Sequence, residues 1–144
     1  MAETFQLEIV TPERLVINDA VTEMQIPGKD GYLGILPGHA PLISELAVGE
    51  ISYRDAKGQI QRLAVAWGFA EVLPDKVTIL AETAERAAEI DVARARQARE
   101  RAEALLKNPP PDADPAKAES DLQRAVTRIS VAEKLNSQAA NLVP

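Results

Sequence analysis

The distribution of glycine and aromatic residues divides this chain near residue 84. All seven glycines and all five aromatic side chains lie in region 1–84, whereas residues 85–107 contain neither glycine nor proline. Glycine permits the tight turns that connect strands, and the alanine, arginine and glutamate that dominate 85–107 favour helix. The chain is therefore predicted to contain a strand-rich domain over 1–84 and a helical domain over 85–144.

Region 1–84 alternates apolar and polar residues in several short segments. In FQLEI, Phe5, Leu7 and Ile9 fall on one side of an extended chain, which is the period-two pattern of a half-buried strand. Turn residues such as Thr11-Pro12 and Pro74-Asp75 separate these segments. Many short strands divided by turns indicate a β-sandwich or a flattened barrel.

Two helices are predicted in region 85–144, over about 85–107 and 115–140, joined by a proline-rich linker over 108–114. Asp114 followed by Pro115 is typical of an N-cap and a first helical residue. Small apolar residues recur at helical spacing on both segments, and they are Ala95, Ala98, Ala102 and Leu105, then Ala118, Leu122, Ala125, Ile129 and Ala132. They predict an antiparallel hairpin. Because these stripes are narrow, the hairpin buries little apolar area and can dock in more than one place.

Composition excludes several functional classes. The chain has 144 residues, a net charge of −6 and no cysteine. An acidic protein lacks the basic surface of a nucleic-acid binder, and a chain without cysteine forms no disulfide and no thiolate metal site. The N-terminus lacks a signal-peptide pattern, and no apolar run reaches the about 20 residues of a membrane span. We expect no nucleic-acid partner and no direct membrane insertion, so that a membrane is reached only through a partner.

The segment IPGKDGYLGILPGHAPL, residues 26–42, holds four glycines, three prolines and the only histidine. A phosphate-binding loop is one interpretation, but its glycines fit neither the Walker pattern nor the dinucleotide-binding spacing. Catalysis by His39 as a general base is a second. No serine stands in a recognisable nucleophile motif, and one histidine does not predict a metal site. A hydrogen-bonding structural role is more typical of a histidine in such a loop.

The third interpretation of segment 26–42 is a rigid surface loop. Glycine allows positive φ and close backbone approach, whereas proline fixes φ and restricts the preceding residue. Their alternation predicts a folded-back connection that projects Tyr32, Leu33, Ile35 and Leu36. Exposed apolar side chains favour a docking surface over a purely internal role.

Several segments together resemble the epsilon subunit of bacterial F-type ATP synthases. They are IPGKDGYLGILPGHAPL, GEI at 49–51, WGFAEV at 67–72, ILAETAERAAEIDVARA and RAVTRISVAEKL. The resemblance implies a ten-stranded antiparallel β-sandwich followed by a two-helix hairpin. It also implies a non-catalytic rotor subunit of the central stalk, which requires no cofactor and couples proton translocation to ATP synthesis. The implied location is peripheral, at the cytoplasmic face of the bacterial cell membrane.

The same resemblance implies specific partners. The sandwich would pack against the gamma subunit and rest on the ring of c subunits, with part of 27–42 facing the ring. The hairpin would regulate ATP hydrolysis, since in its extended state it reaches the catalytic alpha and beta subunits and blocks rotation. Arg124, Arg128 and Lys134 are the basic side chains expected to meet an acidic motif of the beta subunit.

The sequence IDVARA, residues 90–95, matches the Ile/Leu-Asp-x-x-Arg-Ala motif through which some epsilon subunits bind ATP in the folded-down state. The match implies a regulatory ATP site whose residues are Glu85, Ile90, Asp91, Arg94, Ala95, Arg124 and Arg128. Guanidinium groups are forked donors suited to phosphate oxygens, and ATP would stabilise the state that it binds. The simpler interpretation is that Asp91 with Arg94, and Asp121 with Arg124, form ordinary i,i+3 surface pairs.

Two other functions stay open at this point. A stand-alone ATP-sensing protein with the same fold would bind ATP without affinity for gamma. A small hydrolase that uses His39 would show turnover by the isolated chain, and His39→Ala would abolish it.

Overall fold

The computed structural model describes residues 3–141, with side chains described as far as residue 138. Residues 1–2 and 142–144, at the outer ends of the two predicted domains, lie outside the described part. The chain divides into two compact units, the first ending at Arg86 and the second beginning at Ala87. Within the described residues, no helix is long and apolar enough to cross a membrane.

The first unit is built from seven β-strands. Their bounds are β1 Phe5–Val10, β2 Leu15–Gly28, β3 Gly31–Ile35, β4 Leu42–Leu46, β5 Gly49–Asp55, β6 Ile60–Val72 and β7 Lys76–Arg86. The strand order is β1-β7-β6-β4-β2-β3, with β5 pairing β2 and β6 and with β1 also pairing β2. Strand β1 runs parallel to β7, whereas its pairing with β2 is antiparallel. The sandwich class is confirmed, and the parallel pair is the exception to the predicted antiparallel arrangement.

The strand count is lower than the predicted ten because three strands are long. Strands β2, β6 and β7 have 14, 13 and 11 residues, which exceeds the usual range of about 3–10. Strands β2 and β6 exchange neighbours along their length, and β7 pairs with β1 only over 76–80. Strand β6 pairs with β5 over 60–65 and with β4 over 68–72. Ten shorter strands would describe nearly the same sandwich with these three strands divided.

Strand β6 exchanges its neighbour at Trp67 and Gly68. Both residues have positive φ, 56° at Trp67 and 129° at Gly68. A Cβ atom on Gly68 would lie 1.9 Å from the Leu80 carbonyl oxygen. Only glycine therefore permits this approach between β6 and β7.

The core of the first unit follows the alternation of its strands. Phe5, Leu7 and Ile9 of β1 are buried, as the period-two pattern predicts. They pack in one apolar cluster with inward side chains of the six other strands. The intervening side chains of β1, which are Gln6, Glu8 and Val10, are only partly buried.

The second unit contains a short 3-10 helix at Ala87–Glu89 and two α-helices, α1 at Val92–Lys107 and α2 at Pro115–Asn141. The prediction that the first helix begins at residue 85 is wrong, because Glu85 and Arg86 belong to β7 and pair with Ala64 and Leu63 of β6. Helix propensity in AETAER is overridden by this long-range pairing. Helix α1 begins only after Asp91.

Helices α1 and α2 pack on each other. A 16-residue helix is about 24 Å long, which the linker 108–114 could span only if it were fully extended. The linker instead turns, with the Ala113 N–H donating to the Pro110 carbonyl at 3.0 Å, so the pair is antiparallel. Asp114 caps α2 as predicted, since its Oδ1 accepts from the backbone N–H of Ala116 at 3.1 Å. Ala95, Ala102, Ala118 and Ala125 are buried in agreement with the predicted stripes. Leu105 is 44% exposed and does not belong to them.

Candidate functional site

The glycine- and proline-rich segment 26–42 is largely a β-hairpin rather than an open loop. Gly28 of β2 pairs with Gly31 of β3, which leaves Lys29 and Asp30 as a two-residue turn. The Lys29 backbone N–H donates to the Glu45 carbonyl at 2.9 Å, and Lys29 Nζ lies 3.0 Å from Glu45 Oε2. The hydrogen bond between the two side chains and the negative charge of Glu45 raise the pKa of Lys29. The turn is therefore anchored to β4.

Only two of the four side chains predicted to project from this segment are exposed. Tyr32 and Leu36 are 59% and 61% exposed. Ile35 is fully buried, and Leu33 packs against the core. The prediction is wrong for Leu33 and Ile35 because residues 31–35 form a strand, in which alternate side chains point inward.

Tyr32 fixes the hairpin to the start of β5. The backbone N–H of Glu50 donates to Tyr32 Oη at 3.0 Å. A Cβ atom on Gly49 would lie 2.6 Å from Pro27 Cβ and 2.8 Å from Tyr32 Oη. Glycine at position 49 thus makes room for the tyrosine and for the proline.

His39 contacts its own backbone neighbourhood. Its Nδ1 donates to the Ala40 carbonyl at 2.7 Å, and its backbone N–H donates to the Leu36 carbonyl at 3.2 Å. These contacts are those of a structural loop histidine. Across the described part of the chain, no group of three His, Asp or Glu side chains is placed to hold a metal ion.

The IDVARA motif forms the beginning of α1. Asp91 is the N-cap residue, and its Oδ1 accepts from the backbone N–H of Arg94 at 3.1 Å. Ile90 and Ala95 on either side of the cap are buried, whereas Arg94 is exposed. The carboxylate contact is thus to the backbone and caps the helix, rather than the side-chain ion pair that the i,i+3 spacing favours.

The two arginines of α2 lie one turn apart. Arg124 and Arg128 are both half-buried, and their i,i+4 spacing places them on the same side of the helix. Helix α2 is the partner of α1, so the hairpin unit contains Ile90, Asp91, Arg94 and Ala95 together with this pair. Glu85 differs from these residues, because it lies in β7 of the first unit, opposite Ala64.

An exposed row of apolar side chains crosses the outer side of the sandwich. The register places Phe69 opposite Leu80, Leu80 opposite Val10, and Val10 opposite Leu15. Phe69, Leu80 and Leu15 are each more than half exposed. We call Leu15, Val10, Leu80 and Phe69 the apolar row. Acidic Glu45 continues it, opposite Phe69.

Sequence reasoning did not identify the apolar row as a candidate surface. The available signal was the presence of adjacent apolar residues, such as Phe69 with Ala70 and Ile79 with Leu80. In a strand only one residue of such a pair can face the core. The other must be exposed or covered by a partner.

Comparison with known proteins places the chain in a family. A family profile described as the ATP synthase Delta/Epsilon chain beta-sandwich domain matches residues 4–87, and the corresponding long alpha-helix domain matches residues 88–133. The ATP synthase epsilon chain of Koribacter versatilis is 66% identical over 112 residues, which is 78% of each chain.

Two solved structures share the fold. One is a mitochondrial ATP synthase assembly of Euglena gracilis described as OSCP, F1 and c-ring, with a TM-score of 0.76, 24% identity and coverage of 86% of this chain and 78% of that one. The other is the central stalk and c-ring of the Tetrahymena thermophila enzyme, with a TM-score of 0.56, 14% identity and coverage of 93% and 97%. Sandwich, hairpin and family profiles agree along the chain, which therefore belongs to the epsilon-chain family of the ATP synthases.

Proposed function

We propose that this chain is a non-catalytic rotor subunit of a proton-translocating ATP synthase, held at the cytoplasmic face of the bacterial membrane through its partners. The observation that carries the proposal is the apolar row on the sandwich. Burying a large apolar side chain stabilises a complex by about 1.5–3 kcal/mol, and three members of the row are largely exposed in the isolated chain. One solved assembly with this fold is described as central stalk and c-ring and the other as OSCP, F1 and c-ring, and the ring common to both supports a rotor partner.

The gamma subunit is the proposed partner of the apolar row. Its test is the affinity of purified gamma for the full chain and for a Phe69→Glu, Leu80→Glu double variant. We expect the dissociation constant to rise at least about tenfold, because charges would be buried at the centre of the contact. Leu105→Glu, which changes an exposed leucine of α1, is the matched control and should bind normally.

The same experiment separates the rotor from a stand-alone ATP sensor. A sensor with this fold would bind ATP and show no affinity for gamma even as the unmodified chain. Equal affinity of gamma for the unmodified chain and the double variant would instead mean that gamma binds another surface of the chain.

The ring of c subunits is the second proposed partner. Tyr32 and Leu36 are exposed, and the hairpin that carries Tyr32 is anchored by Lys29 and Glu45. A rigid, exposed end of the sandwich suits contact with the polar loops of the ring. Charge substitution of Tyr32 should weaken assembly with the ring while leaving gamma affinity unchanged.

The hairpin is proposed to bind ATP as a regulatory ligand. Arg124 and Arg128 share one side of α2, and Arg94 is exposed in the first turn of α1. Three guanidinium groups on two packed helices can gather around a triphosphate only while the hairpin stays closed, so ATP would favour the closed form. Asp91 already serves as a cap, and its proposed role is to hold this turn in place.

Calorimetric titration of the full chain with ATP tests this site. An Arg94→Ala, Arg128→Ala double variant should lose at least about tenfold in affinity. An Arg96→Ala, Arg101→Ala double variant removes two other exposed arginines of α1 and should bind normally. If millimolar ATP does not bind the unmodified chain, the proposal of a regulatory ATP site is wrong, whereas the proposed rotor function is unaffected.

The extended hairpin is proposed to inhibit ATP hydrolysis in the assembled enzyme. Arg124, Arg128 and Lys134 would then meet an acidic motif of the catalytic beta subunit. Triple replacement by alanine should raise ATP hydrolysis by the complex without changing its rate of ATP synthesis at saturating driving force. An unchanged hydrolysis rate would overturn this part of the proposal.

A further inference from the structure

An open groove lies on the outward face of strands β2, β3, β5 and β6. Its volume is about 400 Å³, and its principal lining residues are Gln25, Gly34, Leu36, Ser52, Arg54 and Arg62. The apolar row is formed by other residues, on β1, β6, β7 and the start of β2. We call this depression the polar groove.

The groove exists because two short residues lie within a row of long ones. The register aligns Gly34 with Gln25, Gln25 with Ser52, and Ser52 with Arg62. A Cβ atom on Gly34 would meet nothing within 4 Å. The glycine and the serine therefore leave open space above the sheet, in a size range that suits small molecules.

Two arginines line the groove, and both are held in place. Arg54 Nε donates to Glu23 Oε1 at 3.2 Å, and its Nη1 donates to the Gly58 carbonyl at 2.8 Å. These bonds use two of the five N–H donors of a guanidinium. Arg62 Nε lies 3.5 Å from Glu50 Oε1, and both side chains of that pair are about four-fifths buried, at 21% and 19% exposure. Fixed guanidinium groups lose little side-chain entropy when they bind an anion.

The groove is less acidic than the rest of the first unit. Region 1–86 carries seven basic and thirteen acidic side chains, hence a charge of −6. The charged residues that line the groove are Arg54, Arg62 and Glu23, and Glu50 lies against Arg62, so that two guanidinium groups balance two carboxylates there. Ser52 lies opposite Arg62 and Gln25 opposite Ser52, and both add neutral donors, whereas Leu36 and Ile60 add apolar contact.

We propose that the polar groove binds a small organic anion. Its carboxylate or phosphate group contacts Arg54, Arg62 and the Ser52 hydroxyl, and its apolar body of a few carbons packs against Leu36 and Ile60. Guanidinium donors favour both kinds of anionic group, and the open space above Gly34 admits the body. The groove shares no residue with the site proposed for ATP.

The experiment is an amide NMR titration of the full chain with benzoate, with phenyl phosphate and with neutral benzamide. We expect saturable shifts at Gln25, Gly34 and Ser52 with one or both anions, and at least about tenfold weaker binding of benzamide. The comparison of benzoate with phenyl phosphate identifies which anionic group is preferred.

Two variants locate the binding. Gly34→Leu fills the groove where a side chain meets no neighbour, and Arg54→Gln removes one guanidinium. Each should raise the dissociation constant of the anion at least about tenfold, and the amide spectrum itself reports whether each variant is folded. Lys57→Gln removes the same charge from the neighbouring turn and should leave the affinity unchanged.

Two results would overturn the proposal. One is the absence of saturable shifts in the groove with either anion at high millimolar concentration. The other is an equal loss of anion affinity in Lys57→Gln and Arg54→Gln, which would mean that the anion is attracted only by the general surface charge. Because ATP is absent from this titration, failure here leaves the hairpin proposal untouched.

Discussion

The carboxylate of Asp91 accepts a hydrogen bond from the backbone N–H of Arg94 at 3.1 Å and thereby caps α1. The aspartate of the IDVARA motif is thus a structural element of the turn that presents the arginine. A role as cap and a role in direct ligand contact make different predictions. They are distinguished by replacing the carboxylate with an amide, because asparagine caps helices about as well as aspartate.

Asp91→Ala should destabilise the first turn of α1 by about 1 kcal/mol. Amide hydrogen exchange at Arg94 and Ala95, whose N–H groups donate to Asp91, measures this loss, and Asp112→Ala in the linker is the control. Asp91→Asn should retain both the slow exchange and the ATP affinity if the residue acts as a cap. Normal exchange combined with lost ATP binding in Asp91→Asn would instead assign the carboxylate a direct contact with the nucleotide.

Gly68→Ala should destabilise the sandwich by at least about 2 kcal/mol, because φ is positive there and the new Cβ would collide with the Leu80 carbonyl. Urea unfolding followed by the fluorescence of Trp67 measures the change. Gly34→Ala is the matched control, since its Cβ meets nothing within 4 Å. Similar stabilities for the two variants would mean that β6 and β7 separate readily at this point.

Part of this fold could be predicted from local sequence, and the successes share one cause. Alternation in β1 and the Asp114 cap depend on neighbours in the chain, and both are present. The predicted start of the first helix at Glu85 was wrong because Glu85 pairs with Ala64, which belongs to a strand distant in sequence. Local helix propensity cannot register such a partner.

The candidate surfaces were harder to predict for the same reason. Val10, Phe69 and Leu80 come from three strands and meet only through the register. The assignment of Leu33 and Ile35 to a projecting loop failed because glycine and proline spacing did not reveal a strand between the turns. The ATP residues were identified from a motif, whose sequence specifies a helix cap more directly than a ligand contact.

Tyr53 should make the sandwich sensitive to alkaline pH. Its Oη donates to Asp19 Oδ2 at 3.1 Å, and burial together with the Asp19 charge raises the pKa of Tyr53 well above its usual value. The raised pKa means that the unfolded chain loses this proton first. The contribution of Tyr53 to the free energy of unfolding is therefore fully present below about pH 10 and is lost as pH rises beyond it.

Urea unfolding at about pH 8 and about pH 11 measures this effect. The loss of unfolding free energy between the two pH values should be smaller in Tyr53→Phe than in the unmodified chain. Tyr32→Phe keeps the Tyr53 contribution and should show the full loss. An identical loss in all three proteins would assign the alkaline sensitivity to other groups.

Ala95, the last residue of the IDVARA motif, should tolerate no larger side chain. It is fully buried in α1, the helix that packs on α2. Leucine at this position adds volume that only displacement of its neighbours can accommodate, which typically costs about 1–3 kcal/mol. Because the proposed ATP site needs both helices together, Ala95→Leu should also weaken ATP binding.

Far-ultraviolet circular dichroism during heating measures the loss of helix stability, and calorimetry measures the loss of ATP affinity. Ala104→Leu, at an exposed position of the same helix, is the control. Lower helix stability with unchanged ATP affinity would show that the nucleotide does not require α1 and α2 to be packed.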